Sequence, residues 1–197
     1  MRVILASKSP RRREILSMLG VRFEILSADA DESSEERDPT ALVRELALRK
    51  GLATRELLCR RGEWSDDTLI IASDTVVANG NTILGKPRDD ADAAEMLRSL
   101  AGHDHSVISS VALLTGDREI TDADRTLVHF APMSDAEIDW YVQSGEPRDK
   151  AGAYAVQGLA SLFIRGLEGD YFNVVGLPVY RLNTLCEQFL GKKLTEL

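Results

Sequence analysis

The chain has 197 residues, 44% of them hydrophobic, and a formal net charge of -8 at pH 7. This length allows one sizeable core, so we expect a single domain over residues 1–197, and the negative charge argues against general binding of nucleic acid or of a membrane surface. Two distant cysteines, Cys59 and Cys186, predict neither a disulfide framework nor a zinc site, and together with apolar runs too short to span a membrane they favour a cytoplasmic protein.

The N-terminal segment predicts the start of an α/β fold. Residues 3–6 form a short apolar run that is typical of a buried strand. Ser9 is a suitable N-cap and Pro10 a suitable first helical residue, while Gly20 indicates where that helix ends. A second strand is predicted near residues 21–26.

The next segment predicts a loop, a helix and a strand. Residues 29–38 are acidic and serine-bearing, which indicates a surface loop. Apolar residues at helical spacing predict a long amphipathic helix over residues 40–59, with Lys50 on its apolar stripe. Residues 68–72 predict a second buried strand, and Asp74 is expected just after its end, where α/β enzymes place catalytic groups.

The middle of the chain alternates strand and helix patterns. The Asn79-Gly80 dipeptide predicts a tight hairpin that returns through residues 83–84. A helix is predicted over residues 90–100. Two β-rich stretches, at about 105–115 and 120–130, follow on either side of a Gly116-Asp117 turn.

The C-terminal part begins with a capping box. Ser134 and Glu137 predict a helix that runs to about residue 144. Residues 149–158 are small and predict tight backbone turns. Residues 161–165 and 171–175 then predict a pair of strands, and Pro178 begins the last helix.

Three arginines follow Ser9 in the first turn of the predicted helix. Arg11, Arg12 and Arg13 stand where the helix dipole is already positive and where acidic residues are normally favoured. An anion such as phosphate would compensate for this arrangement. The alternative is that these arginines point into solvent or pair with Glu14.

Other candidate residues have a chemical and a structural interpretation. Asp74 suits a general base or a metal ligand but could equally cap a turn. Lys50 and Lys86 could supply positive charge for a polyphosphate or simply reach solvent, and Glu32 could hold a divalent ion or be solvated. The Walker, GxGxxG and GxSxG motifs are absent, and His103, His105 and His129 form no recognisable metal motif.

Several segments in register resemble the signatures of one family, the Maf nucleotide pyrophosphatases. They follow one another in the family's order, and Gln157-Gly158 and residues 174–178 add to the match. The segments are residues 5–16 (LASKSPRRREIL), 73–77 (SDTVV), 85–87 (GKP), 144–147 (SGEP) and 149–154 (DKAGAY).

The resemblance implies an α/β fold and an activity. The fold would be an elongated, twisted mixed β-sheet wrapped by helices, with two lobes and a nucleotide cleft between them, as in inosine triphosphatases. The activity would be metal-dependent cleavage between the α and β phosphates, with Mg²⁺ or Mn²⁺, in a homodimer. Asp74 matches the family's proton acceptor, and Arg11, Thr75 and Gln157 match positions associated with substrate choice.

The sequence of residues 149–158 is similar to the branch that acts on dTTP and UTP, so we expect hydrolysis of these and of modified pyrimidine nucleotides. Two alternatives stay open: the same reaction on 7-methyl-GTP, and a regulator of cell division that binds nucleotide without hydrolysing it. Asp74 and Glu32 are the candidate metal ligands. The candidate substrate-binding residues are Ser9, Arg11, Arg12, Arg13, Lys50 and Lys86.

Overall fold

A computed structural model describes all residues from 1 to 197 and contains one seven-stranded sheet. The strand order is β2-β1-β3-β5-β6-β7, and β4 pairs with β3 outside this path. The strands are β1 (Arg2–Leu5), β2 (Glu24–Ile25), β3 (Thr68–Asn79), β4 (Thr82–Leu84), β5 (Asp104–Thr115), β6 (Arg118–Phe130) and β7 (Ile164–Glu168).

The sheet contains both parallel and antiparallel pairs. β1 is parallel to both β2 and β3, with Ile4 opposite Ile70 in the second pair. β3 is antiparallel to β4 around a turn of Gly80 and Asn81, so the hairpin predicted from Asn79-Gly80 is confirmed, and β6 is antiparallel to β7. The expected α/β class and mixed sheet are therefore confirmed.

Six α-helices and three short 3₁₀ segments complete the secondary structure. The Asp38 carboxylate caps α2 by accepting from the Ala41 N–H at 2.7 Å, and the predicted Ser134–Glu137 capping box starts α4. None of the helices combines the length and apolar character needed to cross a bilayer. The helices are α1 (Pro10–Met18), α2 (Pro39–Arg61), α3 (Asp90–Leu100), α4 (Asp135–Gln143), α5 (Tyr171–Val175) and α6 (Val179–Leu190); the 3₁₀ segments are Ala151–Ala153, Leu159–Phe163 and Leu194–Glu196.

The chain divides into two compact units. The first comprises Met1–Asp74, Ser109–Asp124 and Gly176–Leu197, and the second comprises Thr75–Ile108 and Arg125–Val175. Each unit has its own buried cluster. In the first, the apolar face of α2 packs on strand residues from the sheet; this cluster contains Ile4, Ala6, Ala47, Leu58, Ile70, Ala72, Ala112 and Leu114.

The core of the second unit is more aromatic. Phe130, Tyr141, Tyr154 and Phe163 lie in it, together with Leu97 and Leu100 of α3. The Phe130 and Tyr154 rings meet edge to face, with centroids 5.3 Å apart. Aromatic pairs favour this geometry because the positive ring edge faces the negative ring face.

The strand predicted to end at residue 72 continues for seven more residues, so its predicted end was wrong. β3 runs through Ser73, Asp74 and Thr75 to Asn79. The polar side chains do not stop the strand because they find partners: the Ser73 hydroxyl donates to the Gly176 carbonyl at 3.1 Å, and Asp74 pairs with Lys50. Asp74 therefore lies in the middle of a strand.

The predicted strand pair near the C-terminus was also wrong. Residues 164–168 form β7, which pairs with β6, whereas residues 171–175 form the helix α5. The Asp170 carboxylate accepts from the Phe172 N–H at 2.7 Å, and the buried Asn173 amide donates to the Val107 carbonyl at 2.9 Å. The first contact starts the helix locally, and the second, with a residue 66 positions away, fixes it in place of a strand.

Candidate active site

Two elements of the first unit bring a lysine and an aspartate together. Lys50 lies on the α2 face that also buries Leu46 and Ala47, and its ammonium group contacts the Asp74 carboxylate of β3. Their side chains are only 18% and 12% exposed. Solvent and salt screen the attraction in an ion pair this shielded less than they screen a surface pair.

A second carboxylate binds the same ammonium group. Glu32 belongs to the acidic loop before α2, and its Oε1 lies 2.9 Å from Lys50 Nζ although its side chain is 62% exposed. Lys50 therefore joins one shielded and one exposed carboxylate. This brings together three residues that the sequence proposed separately.

Arg12 is the arginine of the first helical turn whose guanidinium group is bound by other parts of the chain, and its side chain is half-buried. Its Nε donates to the Gly176 carbonyl at 2.8 Å and its Nη1 donates to the Ser7 hydroxyl at 3.1 Å. The pKa of Arg12 is lowered, chiefly because its guanidinium group is desolvated. The negative charge of Asp74 opposes this shift, and the positive charge of Arg11 adds to it. Arg12 thus places a desolvated positive charge within electrostatic reach of Asp74.

The other residues at the start of α1 have different surroundings. Arg11 is half-buried like Arg12, whereas Arg13 is exposed and lines a surface depression with Ser17 and Arg22. Ser9 occupies the N-cap position as predicted, but its side chain makes no capping hydrogen bond. Arg13 therefore differs from the other two arginines in burial, and Arg12 differs from both in its bound neighbours, which the sequence alone did not distinguish.

Three further candidates belong to the second unit. Thr75 follows Asp74 along β3, so its side chain points to the opposite face of the sheet. Lys86 is exposed in the segment after β4, and Gln157 is exposed at a turn. The Gly152 N–H donates to the Gly85 carbonyl at 3.0 Å, which connects the segments 85–87 and 149–154 of the sequence pattern.

The tight backbone predicted for residues 149–158 is confirmed. Asp149, Gly152 and Ala153 all have positive φ, at 63°, 67° and 61°. At Gly152 a side chain would also collide, because an added Cβ would lie 2.8 Å from Val77 Cγ2. Glycine is therefore required at this position both for its conformation and for its small size.

Comparison with protein families matches residues 2–189 to the family described as Maf-like protein. The chain belongs to the Maf family. A dTTP/UTP pyrophosphatase of Symbiobacterium thermophilum is 43% identical over 188 residues, which cover 95% of this chain and 93% of the relative. A dTTP/UTP pyrophosphatase of Bacillus cereus (strain AH820) is 42% identical over 189 residues, or 95% of each chain. The chain also matches the structure of the Staphylococcus aureus Ham1 protein. The matched part covers 66% of this chain and 72% of the Ham1 chain, at 14% identity and a TM-score of 0.47.

The Maf resemblance implies a divalent metal, and the donor set can be tested against that expectation. No group of three His, Cys, Asp or Glu side chains comes together as a closed metal cage. Glu32 and Asp74 nevertheless share one cationic partner, Lys50. Mg²⁺ is commonly bound by one or two carboxylates plus substrate phosphates, so this pair of oxygen donors fits a site that the substrate completes.

Two groups of residues in this Maf-family chain were missed by sequence reasoning. Ser7 accepts a hydrogen bond from the Arg12 side chain, and Ser73 donates one to the Gly176 carbonyl, which Arg12 also binds. Tyr141 and Glu146 bind the backbone around Gln157. Glu146 belongs to the SGEP segment of the family pattern, which marked its position, but the partners of its carboxylate lie 5 to 14 residues away.

Proposed function

We propose that this protein hydrolyses dTTP, UTP and modified pyrimidine nucleoside triphosphates to the monophosphate and pyrophosphate. Support comes from its place in the Maf family and from relatives named dTTP/UTP pyrophosphatase at 42–43% identity over almost the whole chain. The observation that carries the proposal is the shielded Asp74 carboxylate held by Lys50. It supplies a fixed proton acceptor among cationic side chains.

The proposed reaction is attack by water on the α-phosphorus. Asp74 accepts a proton from the water while the water oxygen forms a bond to the α-phosphorus. The bond from the α-phosphorus to the bridging oxygen breaks, so that pyrophosphate leaves with the bonding electrons. Lys50 orients the Asp74 carboxylate. Such reactions depend chiefly on alignment and on neutralisation of the charge that builds on phosphate oxygens.

Positive groups of the chain would provide that neutralisation. In this proposal Arg11, Arg12, Arg13 and Lys86 bind phosphate oxygens, and Ser9 adds a hydroxyl that its helix does not use as a cap. Asp74 and Glu32 would hold Mg²⁺ or Mn²⁺ together with substrate phosphates, and such an ion supplies Lewis-acid stabilisation of the phosphoryl group.

Base selection is assigned to Arg11, Thr75 and Gln157. The Gln157 side chain carries an amide donor and a carbonyl acceptor, and it is exposed rather than consumed in the core. Uracil and thymine present a matching pair of groups, an N–H flanked by carbonyls. A glutamine amide can therefore recognise this edge through two hydrogen bonds.

The test is pyrophosphate release from dTTP, UTP, dCTP, 7-methyl-GTP and dATP, with and without Mg²⁺ or Mn²⁺. We expect the highest kcat/KM for dTTP or UTP, and Asp74→Asn should lower kcat by roughly 10²–10⁴-fold, the usual contribution of a general base. The matched control is Asp139→Asn on the exposed face of α4. Preference for 7-methyl-GTP would replace the pyrimidine assignment, and nucleotide binding without turnover would favour the regulatory alternative.

We also propose that the 197 residues form one domain that functions in the cytoplasm as a homodimer. Both cysteines are free, which suits a reducing compartment. Exposed apolar side chains, including Trp140 and Leu162, supply surface for association. Light scattering at several concentrations should give twice the chain mass of 21.7 kDa, and a mass of one chain throughout would reject the dimer.

A further inference from the structure

A tyrosine and a glutamate of the second unit bind both ends of one short turn. The turn comprises residues 155–160, called here the Gln157 turn, and the pair comprises Tyr141 near the end of α4 and Glu146 shortly after it. The Tyr141 hydroxyl accepts from the Ala155 N–H at 3.3 Å and donates to Glu146 Oε1 at 2.8 Å. The start of the turn is thereby connected to Glu146.

The Glu146 carboxylate binds the other end of the turn. Its Oε2 accepts from the Leu159 N–H at 2.9 Å, and its Oε1 accepts from the Ala160 N–H at 3.3 Å. The turn also closes on itself, since the Gly158 N–H donates to the Ala155 carbonyl at 3.2 Å. Both carboxylate oxygens are therefore engaged by neighbours that fix the backbone on either side of Gln157.

The packing around Gly158 shows how closely the carboxylate approaches the turn. A Cβ added to Gly158 would overlap the Glu146 carboxylate group. The φ of Gly158 is -111°, a value that other residues adopt readily, so a side chain here would disturb the Glu146 carboxylate rather than strain the backbone. Glycine leaves the space in which Glu146 reaches the Leu159 N–H.

Two features keep the pair in its bonded form. Tyr141 is fully buried, and burial together with the neighbouring Glu146 raises the pKa of its hydroxyl. The hydroxyl therefore stays protonated near neutral pH and continues to donate to the carboxylate. Lys150 adds a further contact, since its Nζ donates to the Glu146 carbonyl at 2.6 Å.

We infer that Glu146, with Tyr141, is a positioning residue for base selection: it holds the Gln157 turn in the conformation in which the Gln157 amide reads the pyrimidine edge. This inference rests on the proposed function, because it takes the role of Gln157 from there. Both oxygens of Glu146 are bound to the Tyr141 hydroxyl and to backbone N–H groups of the turn. Its effect reaches the nucleotide only through the backbone that carries Gln157.

The test separates the turn from turnover. In the Asp74→Asn background, calorimetry gives Kd for dTTP and dCTP, and hydrogen exchange monitored by mass spectrometry follows the peptide that contains residues 155–160. Glu146→Gln keeps the size of the side chain but replaces an acceptor oxygen with an amide donor. We expect faster exchange in this peptide than in the protein with Glu146. We also expect the Kd for dCTP divided by the Kd for dTTP to fall about tenfold, because small displacements of a binding group have effects of this size or larger.

A double-mutant comparison distinguishes positioning from general stability. Gln157→Ala should lower the same ratio of dissociation constants. Adding Glu146→Gln should lower it little further, because both changes remove the same interaction between the Gln157 amide and the base. Gly158→Ala should resemble Glu146→Gln. The control is Glu95→Gln on the exposed face of α3, which should leave both exchange and selectivity unchanged.

Two results would overturn the inference. One is unchanged exchange in the 155–160 peptide of Glu146→Gln, and the other is equal weakening of dTTP and dCTP binding despite faster exchange. Failure of the proposed function would be seen elsewhere, as absence of pyrophosphate release from the unmodified protein.

Discussion

The Lys50 ammonium group contacts the Asp74 carboxylate while also holding Glu32 at 2.9 Å. Lys50 belongs to the helix α2. Asp74, 24 residues later, belongs to the strand β3, and Glu32, 18 residues earlier, belongs to the loop before α2. Lys50 reaches the strand because it lies on the same α2 face as Leu46 and Ala47, which pack into the core of the first unit. The helix that stabilises the core therefore also orients the candidate proton acceptor.

Removing the Lys50 charge should reduce both activity and stability. In Lys50→Met the Asp74 carboxylate loses its cation while remaining shielded, so we expect the free energy of unfolding to fall by about 1–3 kcal/mol. This loss is smaller than that expected for a wholly buried pair, because solvent partly reaches both side chains. Urea denaturation measures this loss. A double variant, Lys50→Met with Asp74→Asn, should recover part of it; a fully additive loss would contradict the coupling.

Arg12 and Arg13 are adjacent but should respond differently to the same substitution. Arg12→Lys loses the Nε donor to Gly176 and the planar geometry that also reaches Ser7, so we expect about 1–3 kcal/mol of destabilisation. Arg13→Lys, at an exposed position, should stay within about 0.5 kcal/mol of the unmodified protein. Thermal and urea unfolding compare the two, and equal losses would reject the structural distinction between them.

His105 should make stability depend on pH in the acidic range. It is buried in β5, where its Nε2 lies 2.8 Å from the Tyr154 hydroxyl, and burial lowers its pKa to about 4. The unfolded chain, with an ordinary histidine pKa of about 6.5, binds this proton first as pH falls. The stabilising contribution is therefore complete above about pH 6.5 and is lost progressively towards pH 4, by about 2–3 kcal/mol.

The His105 contribution is isolated by difference. The free energy of unfolding is measured by urea denaturation between pH 7 and 4 for the unmodified protein and for His105→Gln, whose side chain does not titrate. The unmodified protein should lose more stability over this range. His103→Gln, which alters an exposed histidine before β5, should keep the original slope; parallel profiles for His105→Gln and the unmodified protein would be inconsistent with this explanation.

The two compact units should unfold together. Neither is a continuous segment, and each of β3, β5 and β6 contributes residues to both, so the chain passes between the units four times. Trp64 lies in the first unit and Trp140 in the second. With Trp140→Phe or Trp64→Phe, one reporter remains in each protein, and fluorescence and circular dichroism should give coincident transitions for both. Separate midpoints within one variant would indicate two cooperative domains.

Local patterns predicted most of the secondary structure. The capping box at Ser134, the Asn79-Gly80 hairpin and the long helix that contains Lys50 all depend on residues near in sequence, and all are confirmed. The two errors arose where distant residues decide. Residues 171–175 form a helix that Asn173 ties to the Val107 carbonyl, and β3 continues past Asp74 because that side chain finds a partner.

The sequence by itself determined the α/β class, the Maf family and the identity of the candidate residues, because these follow from hydrophobic periodicity and from short motifs in a fixed order. Only the tertiary structure decided that Lys50 binds both Asp74 and Glu32, that Arg12 rather than Arg13 binds Ser7 and Gly176, and that Glu146 binds the Gln157 turn. Those relationships depend on which side chains the packed strands and helices bring within hydrogen-bond distance. Local sequence rules carry no information about such distances.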